Sequence, residues 1–133
     1  MTISTLLQAY PFAATRNVFT GEVIPNSTWY NEILIGWRYR FGKQLLDDML
    51  EVWKTYNEDM KDRFVVHQVK EKFGSLRIYT SICTREMMDV IDKYEELSAH
   101  VCMNCGNDAE IDWNRNWVLP LCKLCNAYKG TLD

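Results

Sequence analysis

Four of the five cysteines stand in two close pairs, Cys102-Met103-Asn104-Cys105-Gly106 and Cys122-Lys123-Leu124-Cys125, with sixteen residues between the pairs. Two residues between thiols let both sulfurs of a tight turn face one ion while the backbone N–H groups of the turn steady the thiolates. Four such ligands at about 2.3 Å complete a tetrahedron around Zn²⁺. Gly106 suits a turn that needs positive φ. The other readings of these thiols are a redox dithiol or two disulfides. A redox C-x-x-C needs no second copy, and paired disulfides are foreign to a reducing cytoplasm. A catalytic zinc keeps a position open for water, usually with His or a carboxylate among its ligands, whereas four thiolates close the shell. The expectation is one structural Zn²⁺ held by Cys102, Cys105, Cys122 and Cys125.

The remaining candidates for chemistry are weaker. Cys83 precedes an amphipathic stretch and reads as a structural thiol. His100 stands two residues before Cys102 and reads as a cap or an outer neighbour of the metal. His67 lies among β-branched residues and reads as a satisfied sheet histidine. Neither His has a nucleophile or catalytic carboxylate at motif spacing. Residues 106–133 hold no His, which an H-N-H nuclease would need beside its ribbon. No P-loop, G-x-G-x-x-G or G-x-S-x-G is present, so the chain is expected not to be an enzyme.

Basic residues cluster twice. Arg38, Arg40 and Lys43 interleave with Trp37 and Tyr39; Lys61, Arg63, Lys70, Lys72 and Arg77 have Phe73 and Tyr79 close by. Such surfaces can stack bases and hold phosphates, but a solvated sheet face with cross-strand neighbours is the favoured reading. Lys70, Lys72, Arg77, Tyr79, Arg38 and Arg40 are the candidate contacts to a partner or a nucleic acid. Against them stands an acidic run, with eight Asp or Glu and one Lys over residues 86–112. Segregated charge favours an oriented encounter with a charged partner.

Several elements must position these groups. Residues 1–32 read as irregular, broken by Pro11, Gly21 and Pro25-Asn26-Ser27, with a short helix over about 3–9. Arg38 to Tyr56 carries a helical period in Phe41, Leu45, Leu46, Met49, Leu50, Trp53 and Tyr56, and Asn57 reads as its stop. Phe64–Val69 and Leu76–Ile82 read as strands joined through Gly74-Ser75 in a two-residue type II′ turn. That turn puts Lys70 and Lys72 on one face with Arg77 and Tyr79, but leaves Glu71 on the apolar face between Val69 and Phe73. Thr84 reads as the N-cap of a second helix to about Ala99, with Met87, Met88, Ile91, Tyr94 and Leu97 as its apolar stripe. Between the cysteine pairs, Ala109–Trp113 and Trp117–Leu121 read as short strands joined by Asn114-Arg115-Asn116, which makes a zinc ribbon. The expected fold class is α+β: a β-hairpin or small antiparallel sheet packed with two amphipathic helices, plus a C-terminal four-cysteine ribbon. Residues 1–100 form the α+β part and 101–133 the ribbon, packed together as one unit.

The whole chain fits this scale. Its 133 residues are 47% hydrophobic, enough for one core, and the formal charge of −3 argues against a general nucleic-acid coat protein. Neither a secretory signal nor 18 consecutive apolar residues is present, so a cytoplasmic protein without a membrane span is expected.

Gln68-Val69-Lys70-Glu71-Lys72-Phe73-Gly74-Ser75-Leu76-Arg77-Ile78-Tyr79, the Cys102-to-Gly106 string and Trp117-Val118-Leu119-Pro120-Leu121-Cys122 resemble a group of small uncharacterised proteins encoded by phages and prophages. Ile35-Gly36-Trp37 fits the same layout, and the resemblance spans about residues 33–126. It implies phage origin, hence host-cell cytoplasm, and a structural zinc ribbon; it implies no activity. Small phage proteins often act by binding a host protein, inhibitors of CRISPR nucleases and other defence systems among them. The leading expectation is therefore a non-enzymatic accessory that binds a host protein, such as a defence nuclease. The alternative is a nucleic-acid-binding or regulatory ribbon module with Lys70, Lys72 and Arg77 as phosphate contacts.

Overall fold

The computed structural model describes residues 2–111 and 119–126. In chain order the elements are α1 (Ile3–Ala9), the hairpin β1 (Ala14–Arg16) and β2 (Val23–Thr28), α2 (Ile35–Trp37), α3 (Lys43–Trp53), α4 (Glu58–Arg63), the hairpin β3 (Val66–Lys72) and β4 (Ser75–Thr80), α5 (Arg85–Ser98), and the short strands β5 (Glu110–Ile111) and β6 (Pro120–Leu121). Among the described residues these strands form three two-stranded antiparallel sheets. The arrangement is α+β, as the patterning implies.

The long helical pattern is realised as α2 and α3 joined by one π-turn over Arg38–Gly42. Helix begins at Ile35, before the expected Arg38, because Gly36 and Trp37 are already buried against the C-terminal part. Trp37, Phe41, Leu45, Leu46 and Met49 form the floor of the core. Asn57 ends one helix and starts another: its side chain accepts from the Met60 N–H and caps α4, which the sequence reading lacked. α5 packs on both α3 and β4. Thr84 caps it through the Met87 N–H, as expected. Its buried stripe is Met87, Ile91, Tyr94 and Ser98; Met88 and Leu97 face solvent, contrary to expectation. A serine takes the last core position, where its hydroxyl reaches the backbone of β4.

The contact between α5 and β4 is polar where the strand needs it to be. Leu76 and Ile78 turn their N–H groups away from β3. The Ser98 hydroxyl accepts the first at 2.8 Å and the Glu95 carboxylate the second at 2.8 Å. Adjacent aspartates on α3 strap the helices: Asp47 accepts from Tyr10 and Lys43, and Asp48 from Tyr94 and Lys93.

The β3–β4 turn is Phe73-Gly74, not Gly74-Ser75. Both residues have positive φ, 53° and 86°, the signature of a type I′ turn. Lys70 therefore opposes Arg77, and Lys72 opposes Ser75. The shift from the expected pairing is two residues, so the faces are unchanged. It also removes the misfit at Glu71, whose carboxylate bends back to accept the Gly74 N–H at 2.8 Å, while Phe73 leaves the apolar face for the exposed turn. A bulge between Val66 and Gln68 lets both Val66 and Val69 face the core and leaves His67 exposed, where a satisfied sheet position was expected.

Residues 1–32 carry the expected short helix, α1, and are more regular than the sequence implies, adding the hairpin β1–β2. Leu6, Tyr10, Phe12, Ala13 and Trp29 are all buried in the main core. Phe12 lies 6.5 Å from the Trp29 ring and 5.9 Å from Trp53, and the Trp29 indole donates to the Phe12 carbonyl. Pro11, Gly21 and Pro25 shorten the elements without removing them. Aromatic burial holds together what local propensity cannot.

Candidate metal centre and cationic face

The Sγ atoms of Cys102, Cys105, Cys122 and Cys125 all lie within 4.8 Å of one another, and those of Cys105 and Cys122 are 3.5 Å apart. A tetrahedron with Zn–S arms of about 2.3 Å has S···S edges of about 3.8 Å, so the cluster is the size of one metal site. All five cysteines are free thiols. Each pair is built by its own turn. Gly106 donates to the Cys102 carbonyl at 2.9 Å, and Cys102 donates to the Asn107 carbonyl at 2.7 Å. At the second pair the Cys125 N–H faces the Cys122 sulfur at 3.5 Å, and residues 123–126 are helical. The Asn104 amide reaches across to the Cys125 sulfur at 3.3 Å.

The thiols do not titrate alike. Burial pushes the Cys102 thiol up, but the N–H groups of Cys122, Cys105 and Asn104 outweigh it and bring the group down to about 6. At Cys125 the Asn104 amide lowers the pKa, yet burial and the neighbouring sulfurs of Cys122, Cys102 and Cys105 prevail and hold it at about 12. One thiolate forms readily, then, and further ionisation meets repulsion. A divalent cation removes that conflict. The donor set fits a soft or borderline metal, four thiolates leave no open position, and the site can hold structure together but cannot present a metal-bound water.

The helix beneath the turn is shaped to receive it. The Gly36 N–H donates to the Met103 carbonyl at 2.9 Å. A Cβ on Gly36 would stand 2.2 Å from the Cys102 carbonyl oxygen, so no side chain fits. Gly106, at φ +87°, needs glycine for its conformation and again for space, since its Cβ would come within 2.8 Å of the Gly36 carbonyl oxygen. Trp37 donates its indole N–H to the Val101 carbonyl at 2.9 Å, and Arg40 donates to the Gly106 carbonyl and the Asp108 carboxylate, both at 2.7 Å. Sequence reasoning assigned Gly106 to the metal turn, as the structure bears out, but not Gly36, Trp37 or Arg40. The only signal was Gly36 beside an aromatic in an otherwise helical run. A second core of Cys102, Ala109 and Leu121 lies under the sulfurs. Glu110–Ile111 pair with Pro120–Leu121, so the ends of the expected ribbon strands are present; Trp113, Trp117 and the Asn114-Arg115-Asn116 turn, like 127–133, lie outside the described residues. His100 is not in the sulfur cluster; its Nδ1 stands 3.2 Å from the Glu110 carboxylate. Cys83 is half-buried, and burial pushes its thiol up.

The six basic and aromatic candidates separate. Lys70, Lys72, Arg77 and Tyr79 share the outer face of the β3–β4 hairpin. Lys70 Nζ lies 5.6 Å from the Tyr79 ring centre, and Lys72 Nζ lies 5.7 Å from that of Phe73. Among the described residues none of these three cations is within ion-pair distance of a carboxylate, and the Arg77 Nε has no acceptor. Arg40 is committed to the metal turn. Arg38 donates to the Asn31 side chain at 3.0 Å on the helix, not on the hairpin. Among the described residues no helix is long and apolar enough to cross a membrane. The chain matches no known protein family, and neither curated proteins nor solved structures show a significant match to it.

Proposed function

We propose that the four cysteines hold one structural Zn²⁺ and that the chain is a non-catalytic binding module of the kind phages encode, working in the host cytoplasm through the outer face of β3–β4 on a nucleic-acid partner. One observation carries the choice of surface. Lys70 sits directly across from Arg77, with Lys72 next along the strand. Among the described residues neither lysine is within ion-pair distance of a carboxylate, and Arg77 feels only the nearby Glu95 without pairing to it. Like charges directly opposite each other destabilise a sheet, so an anion supplied from outside is the economical way to balance them. Tyr79, 40% exposed, and Phe73, 69% exposed, add ring faces on which bases can stack. The net charge of −3 means that affinity rests on this patch and not on a general positive field. Lys70→Ala with Lys72→Ala should weaken binding to single-stranded oligonucleotides of any sequence and reduce the log–log salt slope by about 0.7 for each lost contact. Wild-type binding that ignores salt, or a double variant that binds unchanged, refutes the assignment.

A protein partner, such as a host defence nuclease, is the second reading. It is favoured by the neighbouring helix, where Glu86, Asp89, Asp92 and Glu96 are all exposed on α5. That acidic face would meet a basic nucleic-acid-binding channel. A nuclease-treated pull-down with zinc-loaded protein separates the two: one stoichiometric protein retained without nucleic acid supports the protein reading, and loss of all bound protein on digestion supports the hairpin.

A further inference from the structure

A cleft of about 310 Å³ opens between α1, the turn at Tyr30 and the π-turn, on a part of the molecule that neither the metal centre nor the hairpin uses. Ile3, Leu6 and Leu46 supply its apolar wall, and Tyr30, Arg38 and Lys43 bring polar groups to the same space. None of its lining residues is acidic. Lys43 already has Asp47 at 2.8 Å, but Arg38 has only the neutral Asn31 amide, so the cleft keeps one uncompensated cation. The Tyr30 hydroxyl has no hydrogen-bond partner among the described residues. It reaches its place because Gly42 closes the π-turn: a Cβ there would lie 2.2 Å from that hydroxyl oxygen. Two irregularities of the helix, the π-turn and its glycine, thus set a phenolic donor beside a guanidinium that no carboxylate pairs among the described residues, over an apolar floor. π-turns inside helices recur at functional sites, and an apolar pocket with a few converging polar groups is the usual form of a small-molecule site.

We propose that this cleft binds a small organic anion, a carboxylate or phosphate on an apolar body, with Arg38 and the Tyr30 hydroxyl holding the anionic head and Leu6 and Leu46 the body. A guanidinium takes either head group through paired N–H donors. The inference is independent of the nucleic-acid reading, because it involves neither Lys70, Lys72 nor Arg77.

The test titrates octanoate, phenyl phosphate and the neutral octanamide into the full-length, zinc-loaded chain, followed by ¹H–¹⁵N chemical shifts. Saturable binding of either anion that moves Leu6, Tyr30 and Leu46 is expected, with octanoate at least tenfold tighter than octanamide. The preferred head group identifies the source: phenyl phosphate for phosphorylated metabolites, octanoate for carboxylic acids. Arg38→Gln should weaken the anion at least tenfold and leave octanamide unchanged. Gly42→Ala, which displaces the Tyr30 hydroxyl while favouring helix, should weaken it several-fold. Equal affinity for acid and amide, an Arg38→Gln variant that binds normally, or shifts that map elsewhere would overturn the assignment.

Discussion

Replacing Gly36 by Ala sets two effects of opposite sign against each other. In a helix interior, Ala is favoured over Gly by about 1 kcal/mol, and a chain in which α2 stood alone would gain that amount. Here the new Cβ stands 2.2 Å from the Cys102 carbonyl oxygen and 2.5 Å from the Met103 carbonyl carbon. Both are about an ångström or more inside an ordinary contact of about 3.5 Å. Neither obstacle is a side-chain end that can swing away, so the metal turn must lift off the helix. Three hydrogen bonds then lengthen together: Gly36 to Met103, Trp37 to Val101, and Arg40 to Gly106. At about 1 kcal/mol net for each bond, and about 1–3 kcal/mol where the turn stays and the overlap is endured instead, the loss exceeds the helical gain. The expected net destabilisation is about 2 kcal/mol, roughly thirtyfold in the folding equilibrium. Urea unfolding of the zinc-loaded protein, followed by tryptophan fluorescence, measures it. Competition with a chromophoric chelator should show weaker zinc binding as well, because the displaced turn carries two of the four sulfurs. A variant as stable as the parent, with unchanged zinc affinity, would show that the turn does not rest on the helix as described.

Other perturbations test separate parts of the structure. Cys122→Ser should reduce bound zinc to well under one per chain and leave the C-terminal part unfolded; a fully stable, fully loaded variant would mean the ion's structural role is misjudged. Ser98→Ala strands the buried Leu76 N–H and should lower stability by about 1–3 kcal/mol in denaturant titrations, whereas Ser98→Thr should recover part of the loss through its hydroxyl. Burial raises the Glu95 carboxyl above its ordinary value despite the Ile78 N–H and Arg77. Its contribution is therefore complete below about pH 4.3, where the unfolded group titrates, and is lost as pH rises through the folded value. Glu95→Gln keeps an acceptor for Ile78, so it should be more stable than the parent at pH 7, with the gap closing on acidification. Asp47 behaves in the opposite sense, held low by Lys43 and then by Tyr10. Its contribution is present above about pH 3.9 and is lost as pH falls through the folded value, so Asp47→Asn should flatten the acid end of a stability–pH curve.

What the sequence made legible follows physical locality. The two C-x-x-C turns place their sulfurs through bonds within a few residues, so their spacing was enough to find them. The helical periods of α3 and α5, and the Thr84 cap, are equally local. Non-local geometry was hidden. No pattern near Gly36 says that a turn 66 residues later needs its missing side chain. Met88 and Leu97 lie near the right angle of the helix for burial, yet the space goes to Ser98 because a strand N–H needs a hydroxyl there. At Glu71 the alternation itself signalled that the assumed turn was misplaced. The answer lay in an uncommon choice, a phenylalanine with positive φ, which local propensity disfavours and which the Glu71 bond to Gly74 helps to hold. In residues 1–32 the short helix over 3–9 was legible, but Pro and Gly concealed how Phe12 and Trp29 tie the segment into the core.

The way α5 meets β4 also governs the company the protein can keep. An uncovered strand edge is a template, and any extended chain that meets it can add itself, whether a ligand peptide or another copy on the way to an aggregate. Ser98 and Glu95 occupy the two inward N–H positions of β4 with side chains that cannot propagate a ladder. A partner approaching the hairpin from that side finds its backbone donors already taken. It must read the side chains of the face, not lengthen the sheet, and a second copy meets the same obstacle on that side.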